Sequence, residues 1–229
     1  IRLLAGARSL TWRRTIRTGL NPVKIESCQK LTTPLMNPQP LKLVLASTST
    51  YRATLLDRLG VSYTQQAPSA EEAMLPNEDF ASLAGRLARD KAAAVYAPDS
   101  LVIGSDQVAV LEEKRLRKPG TPERAYAQLR ASSGKTVQFF TGVALLNTVT
   151  RDVQTSVVHY RVKFRVLNDA EIRRYVIHDN PLDCAGSFKW ERLGIALMAS
   201  LEGPDPTALE GLPLIALCKM LRKAGLEIP

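Results

Sequence analysis

Between Leu43 and Arg52 the chain changes periodicity in a single step. The apolar run Leu43-Val44-Leu45-Ala46 stops at Ser47, Thr48 and Ser49, and a helical pattern begins at once, with Leu55, Leu56 and Leu59 on one face and Gly60 closing it. A strand that feeds directly into a helix calls for a layered α/β arrangement. The junction also has the makings of an anion cradle. The first N–H groups of a helix lack intrahelical partners, the dipole favours negative charge there, and three hydroxyls stand beside them. Arg52 falls in the first turn, where a cation is disfavoured unless an anion joins it. A plainer reading of the same residues is that Thr48 or Ser49 is an N-cap and Arg52 a solvated side chain.

The chain is long enough, at 229 residues with 45% hydrophobic content, for one substantial core. It has no apolar run of the roughly 18 residues that a membrane span needs. Its net charge of +9 points to a nucleic-acid partner until its location is considered. Residues 1–40 carry seven basic residues and one acid, which leaves +3 for the other 189, so nucleic acid is not expected as a partner. That first segment has no sustained period, holds Pro22, Pro34, Pro38 and Pro40, and is Arg-rich and acid-poor like a transit peptide. Met36 precedes the first strand and would serve as an ordinary start. Residues 1–38 are therefore expected to be a disordered extension or an over-long start, with an organelle leader as the alternative, and residues 39–229 the folded domain.

Cys28, Cys184 and Cys218 are odd in number and widely spaced, which fits neither a disulfide framework nor a zinc site and suits a reducing cytoplasm. Two histidines, His159 and His178, are too few for a histidine metal site. Carboxylates and lysines must carry the chemistry.

A short strand over residues 62–66 precedes the acidic pair Glu71 and Glu72, and a helix is predicted from Asp79 to Tyr96. Its apolar stripe of Phe80, Leu83, Leu87 and Val95 is interrupted by Lys91, which either snorkels to water or aims an ammonium into a polar cleft. Leu101-Val102-Ile103 reads as a buried strand ending in Gly104-Ser105-Asp106-Gln107, so Asp106 is placed where open α/β sheets bind ligands. A loop or turn centred on residues 112–117 leads to Lys118, held extended by Pro119, and Thr121-Pro122 opens a helix to about Ala131. Two long strands, 137–147 and 153–166, follow. In the second, Val158, Tyr160, Val162, Phe164 and Val166 alternate with His159, Arg161, Lys163 and Arg165, a basic face read as the solvated side of a sheet. Asn168 and Glu171 form a capping box for a helix through His178. A polar loop at 184–189, a strand near 194–200 and a final helix over 213–225 complete a mixed twisted α/β sheet with flanking helices and a central cleft.

Hydroxyls and an arginine at a helix start, two lysines and several carboxylates are what cutting a triphosphate requires, although the P-loop pattern G-x-x-x-x-G-K-[ST] is absent. From about Leu41 to Leu226 the chain resembles the Maf-like nucleotide pyrophosphatases, related in fold to inosine triphosphate pyrophosphatase. The resemblance is carried by Ala46-Ser47-Thr48-Ser49 with Arg52, Glu71-Glu72, Lys91, Gly104-Ser105-Asp106-Gln107, Lys118-Pro119, Phe140-Thr141-Gly142-Val143 and Gly211-Leu212-Pro213-Leu214. It implies hydrolysis of a nucleoside triphosphate between the α and β phosphates with a divalent cation such as Mg²⁺ or Mn²⁺. In that scheme Asp106 is the proton acceptor, Glu72 and Asp106 hold the metal, and Ser47, Ser49, Arg52, Lys91 and Lys118 grip the phosphates. The family's usual Ser-Pro-Arg-Arg is here Ser49-Thr50-Tyr51-Arg52. Tyr51, Gln107, the loop Cys184 to Lys189 and Glu191 resemble the 7-methyl-GTP pyrophosphatase subfamily. N7-methylguanine is cationic, so an aromatic face and a carboxylate suit it better than an arginine. The resemblance also leaves open a dTTP/UTP specificity, a regulatory role in septum formation and cell division, and a homodimer.

Overall fold

The structure, a computed structural model, describes residues 41–228. The expectation for residues 1–38, and Cys28 with it, lies outside the described residues.

Seven strands form one mixed sheet: β1 (Lys42–Ala46), β2 (Thr64–Gln66), β3 (Ser100–Leu111), β4 (Lys114–Leu116), β5 (Thr136–Asn147), β6 (Val153–Phe164) and β7 (Met198–Glu202). Their order is β2-β1-β3-β5-β6-β7, with β4 paired to β3. β1 pairs in parallel with β2 and β3, and every other pairing is antiparallel. The helices are α1 (Thr50–Asp57), α2 (Phe80–Ala93), α3 (Pro122–Ser132), α4 (Asp169–Asp179) and α5 (Leu214–Lys223). Most start on the expected caps: Ser49, Asp79, Thr121 and Asn168 each accept a backbone N–H of the first turn, the last within a full capping box.

Several expectations need correction. β3 does not end at Ile103 but runs on to Leu111, because Gly104–Leu111 pair without a break with β5. Asp106 is thus in mid-strand. The end of a strand is still what opens the site: β1 stops at Ala46, opposite Gly104, and leaves Asp106 without a neighbour on that edge. The loop or turn expected over 112–117 is a hairpin, with Glu112 at φ 57° making the turn into β4. The strand placed near 194–200 begins only at Met198, after a 3₁₀ turn over Leu193–Leu197, and β6 stops at Phe164, leaving Val166 82% exposed.

On one face of the sheet the odd-numbered residues of β3 and β5 build two apolar clusters. Leu101, Ile103, Val143 and Leu145 pack with α1 and α5, while Ala109, Leu111, Val137 and Phe139 pack with α3 and α4. Between the clusters lie polar residues, Ser105, Gln107 and Thr141, and they receive the carbonyls of a 3₁₀ segment, Pro206–Glu210, and of Gly211. Ser105 Oγ donates to Gly211 O at 2.8 Å, Thr141 Oγ1 to Ala208 O at 2.9 Å, and Gln107 Nε2 to Ala208 O at 2.7 Å. This satisfies buried backbone groups that water cannot reach.

The opposite face belongs to α2. Gly104 on β3 and Gly142 on β5 let it approach so closely that a Cβ on Gly104 would stand 2.1 Å from Ala88 O, and one on Gly142 would stand 2.2 Å from Ala84 O. These are backbone atoms and cannot swing aside. Gly104→Ala is therefore expected to destabilise the fold by about 3 kcal/mol or more, lowering the melting temperature by roughly 6–12 °C in a circular-dichroism melt; an unchanged melt would show that α2 has room to retreat.

Candidate active site

At the Ala46 end of β1 a cleft of about 750 Å³ opens, within the range of small-molecule sites. It collects Ser47, Ser49, Tyr51, Arg52, Glu72, Lys91, Asp106, Gln107, Lys118 and Glu191, so every site residue expected from the sequence lines one cavity. A separate groove, about 620 Å³ on the basic face of β5 and β6, holds Lys135 and Arg161, already paired with Glu112 and Glu202.

Ser47 and Ser49 have different jobs. Ser49 is the N-cap of α1, its Oγ accepting from Arg52 N at 3.4 Å. Ser47 is buried, and its Oγ accepts from Ser49 N at 3.1 Å and from the Arg52 guanidinium at 3.2 Å. Arg52 folds back over its own helix start and donates Nε–H to Gly211 O at 2.8 Å, where Gly211, at φ 95°, turns the chain into α5. Burial lowers the guanidinium's pKa, and Asp106 and Glu72 oppose that shift.

Lys91 does not snorkel. It is 9% exposed, and its Nζ lies 2.6 Å from both Asp106 Oδ1 and Glu72 Oε1. The break in the apolar stripe of α2 is an ammonium bracketed by two carboxylates. The hydrogen bond from Lys91 holds the Glu72 carboxyl below the usual glutamate range, against some desolvation. Glu71 does not line the cleft, so the acidic pair contributes one member. Asp106 is 5% exposed, and its Oδ2 is buried without a hydrogen-bond partner, an orphan acceptor.

Glu72 stands in a stretch without helix or strand between β2 and α2, yet it is held firmly. Arg86 of α2 bonds Glu78 at 2.7 and 2.8 Å, Asp90 at 3.0 Å and the carbonyl of Ala73, next to Glu72, at 2.8 Å. Across the cleft the β4 hairpin and the residues after it supply Arg115, Arg117 and Lys118, with Arg115 donating to Glu72 O at 3.4 Å. Sequence reading picked out Lys118 alone. The cation run from Lys114 to Lys118 was the available signal for the other two, and it became informative only once it folded as a hairpin.

The other end of the cleft is acidic. Tyr51 meets Asp183 and Cys184 there, with Glu191 and Glu210 on the wall. Lys189 Nζ sits 5.6 Å from the Tyr51 ring centroid, 3.6 Å from Asp183 Oδ1 and 3.2 Å from the last carbonyls of α4, Asp179 O and Asn180 O. Burial raises the Tyr51 hydroxyl, helped by Cys184 and Asp183, and pushes the Cys184 thiol up to about 12, which keeps it protonated. Asp183 loses hydration, which raises it, but Lys189 and the Tyr51 hydroxyl hold it below the ordinary range on balance. Burial raises both Glu191 and Glu210. Gln107 is tied down: its amide donates to Ala208 O at 2.7 Å, Leu209 O at 3.1 Å and Thr141 Oγ1 at 3.3 Å, so it shapes this end through the 3₁₀ segment.

A cationic end built on a strand-to-helix turn and an acidic end around an aromatic ring share one cleft of this α/β protein. The chain belongs to the Maf-like protein family, whose profile matches residues 42–224. It is similar to proteins named 7-methyl-GTP pyrophosphatase: 50% identical over 196 residues to one from Nitrosococcus oceani, covering 85% of this chain and 98% of that one. The corresponding figures are 51% over 189 residues for one from Pseudomonas aeruginosa and 54% over 190 for one from Aromatoleum aromaticum, each covering 82% of this chain and 98% of its own length. Among the described residues no helix is long and apolar enough to cross a membrane.

Because its folded pKa is depressed, Glu72 contributes stability that is present above the ordinary glutamate pKa and lost as the pH falls through the lower folded value. In Lys91→Met the Glu72 carboxyl is expected to titrate at higher pH, read by carbon NMR of the side chain; an unmoved titration would mean that the ion pair does not form in solution.

Proposed function

We propose that the chain is a nucleoside triphosphate pyrophosphatase acting on 7-methyl-GTP, releasing 7-methyl-GMP and pyrophosphate and clearing the modified nucleotide from the cytoplasmic pool. The observation that carries this is the Lys91 ammonium between Glu72 and Asp106, with Asp106 Oδ2 left unpartnered beside the phosphate grip. The names of the relatives support the substrate.

The triphosphate would lie along Ser47, Ser49, Arg52, Lys91 and Lys118, joined by Arg115 and Arg117, which neutralise its charge. Water would attack the α phosphorus, the bond to the oxygen bridging α and β would break, and the water proton would pass to the Asp106 carboxylate. Glu72 and Asp106 fit a divalent cation: two hard carboxylates, one oxygen of them unpartnered, with no third His, Cys, Asp or Glu converging among the described residues. Mg²⁺ binds in this manner, through one or two carboxylates and substrate phosphates. When bound it would offset charge on the triphosphate. Tyr51 would offer its ring to the cationic base and Glu191 a carboxylate, with the wall between them held by Gln107.

The test is hydrolysis of 7-methyl-GTP, GTP, UTP, dTTP and ITP with Mg²⁺ or Mn²⁺, scoring pyrophosphate apart from phosphate. Pyrophosphate release with 7-methyl-GTP preferred is expected. Preference for UTP or dTTP would overturn the base assignment, and no turnover with any of them would favour a nucleotide-binding regulator of cell division. Asp106→Asn should lower kcat by about 10²–10⁴-fold while nucleotide still binds; retained turnover would move the proton to another group. Tyr51→Arg should erode the preference for 7-methyl-GTP over UTP, and an unchanged ratio would remove Tyr51 from base recognition.

A further inference from the structure

The base end of the cleft gathers three carboxylates, two of them already ion-paired, Asp183 with Lys189 at 3.6 Å and Glu210 with Arg58 at 3.1 Å. Asp183, Glu191 and Glu210 all line it, and Asp183 also meets the Tyr51 hydroxyl. Glu210 is the unusual member. Its side chain is 5% exposed, Oε2 is held by Arg58 at 3.1 Å, and Oε1 is buried without any partner. A buried carboxylate oxygen with no donor is costly unless a ligand supplies one. Glu191 lines the same wall, and like charges that share a site raise each other's cost. A positive charge arriving between them relieves both problems.

Side-chain donors that could read the acceptors of a neutral base are already engaged here. The Gln107 amide is bonded to the 3₁₀ carbonyls and Thr141, and the Lys189 ammonium to the end of α4. Among the described residues the groups at this end include carboxylates and the Tyr51 ring, which has Lys189 Nζ at 5.6 Å from its centroid, and such groups respond to positive charge on any flat ring system. We propose that this end of the cleft selects nucleotides by the charge of the base, so that the chain also cleaves other triphosphates whose base is made cationic by methylation of a ring nitrogen, N1-methyl-ATP and N3-methyl-CTP among them, with Asp183 and Glu210 as specificity-determining residues. The inference rests on the pyrophosphatase reading for its turnover, and on the geometry of the cleft for its selectivity.

The experiment compares three pairs at a pH where each methylated base is cationic: 7-methyl-GTP with GTP, N1-methyl-ATP with ATP, and N3-methyl-CTP with CTP. kcat/KM is read from pyrophosphate release, and binding of the corresponding monophosphates is measured by calorimetry. Charge selection gives a preference for the methylated member of every pair, about tenfold or more, in both measurements. A preference confined to the guanine pair overturns it, because the site would then be reading the guanine edge. Should nothing be hydrolysed, the pyrophosphatase reading fails, and the calorimetric ratios alone still decide charge selection. Asp183→Asn and Glu210→Gln should each reduce the methylated-to-parent ratio in all three pairs by roughly fivefold. Arg58→Met serves as the control for a merely structural Glu210, since it breaks the same ion pair and keeps the carboxylate. Equal ratios in wild type and both carboxylate variants overturn the proposal, as does a ratio that falls in Arg58→Met as far as in Glu210→Gln.

Discussion

The close approach of α2 to the sheet is the constraint on which the site depends. It is set by two missing side chains, at Gly104 and Gly142, whose places are filled by the backbone of Ala88 and Ala84. With any side chain there the helix would stand off, and Lys91 would no longer reach Asp106 at 2.6 Å. The same helix carries Arg86, which fixes Glu78 and the Ala73 carbonyl and so brings the irregular segment with Glu72 back to the Lys91 ammonium. One packing decision thus assembles two carboxylates and an ammonium from three separate parts of the chain.

The other face of the sheet solves a different problem. A continuous apolar surface along β3 and β5 would give one large core and no cleft. Instead Ser105, Gln107 and Thr141 interrupt it, and the 3₁₀ segment with Gly211 docks on them by its carbonyls. Gly211 O also receives Arg52, so the segment that shapes the base end and the arginine at the phosphate end share one anchor. The two ends of the cleft are thus joined through one carbonyl. The docking also accounts for the placement of Glu210, which is carried into the wall by that segment and paired with Arg58 beyond the end of α1.

Much of this was legible in the chain. The strand-to-helix turn at 43–52, the caps Asp79, Thr121 and Asn168, and the odd position of Lys91 are local signals, each readable within a few residues. So was the basic side of β6, which is solvated as its alternation implied. The length of β3 was not, because Gly104-Ser105-Asp106-Gln107 looks like a strand end in isolation and becomes strand only by pairing with β5. Arg115 and Arg117 were missed for the same reason: their relation to the cleft comes from a hairpin that brings them across to Glu72.

By itself the sequence determined the kinds of group available: an anion-friendly helix start, a lysine in an apolar stripe, carboxylates in place of histidines, and a tyrosine beside the arginine of the helix start. Those are properties of composition and short-range spacing, which a chain carries whether folded or not. The tertiary structure alone decided which carboxylates share the ammonium, that Glu71 stays outside, that Gln107 bonds backbone, and that three acids gather at one end of the cleft. The reason is range: hydrogen bonds and ion pairs act over a few ångströms, and only the packed sheet brings residues more than a hundred positions apart within that distance.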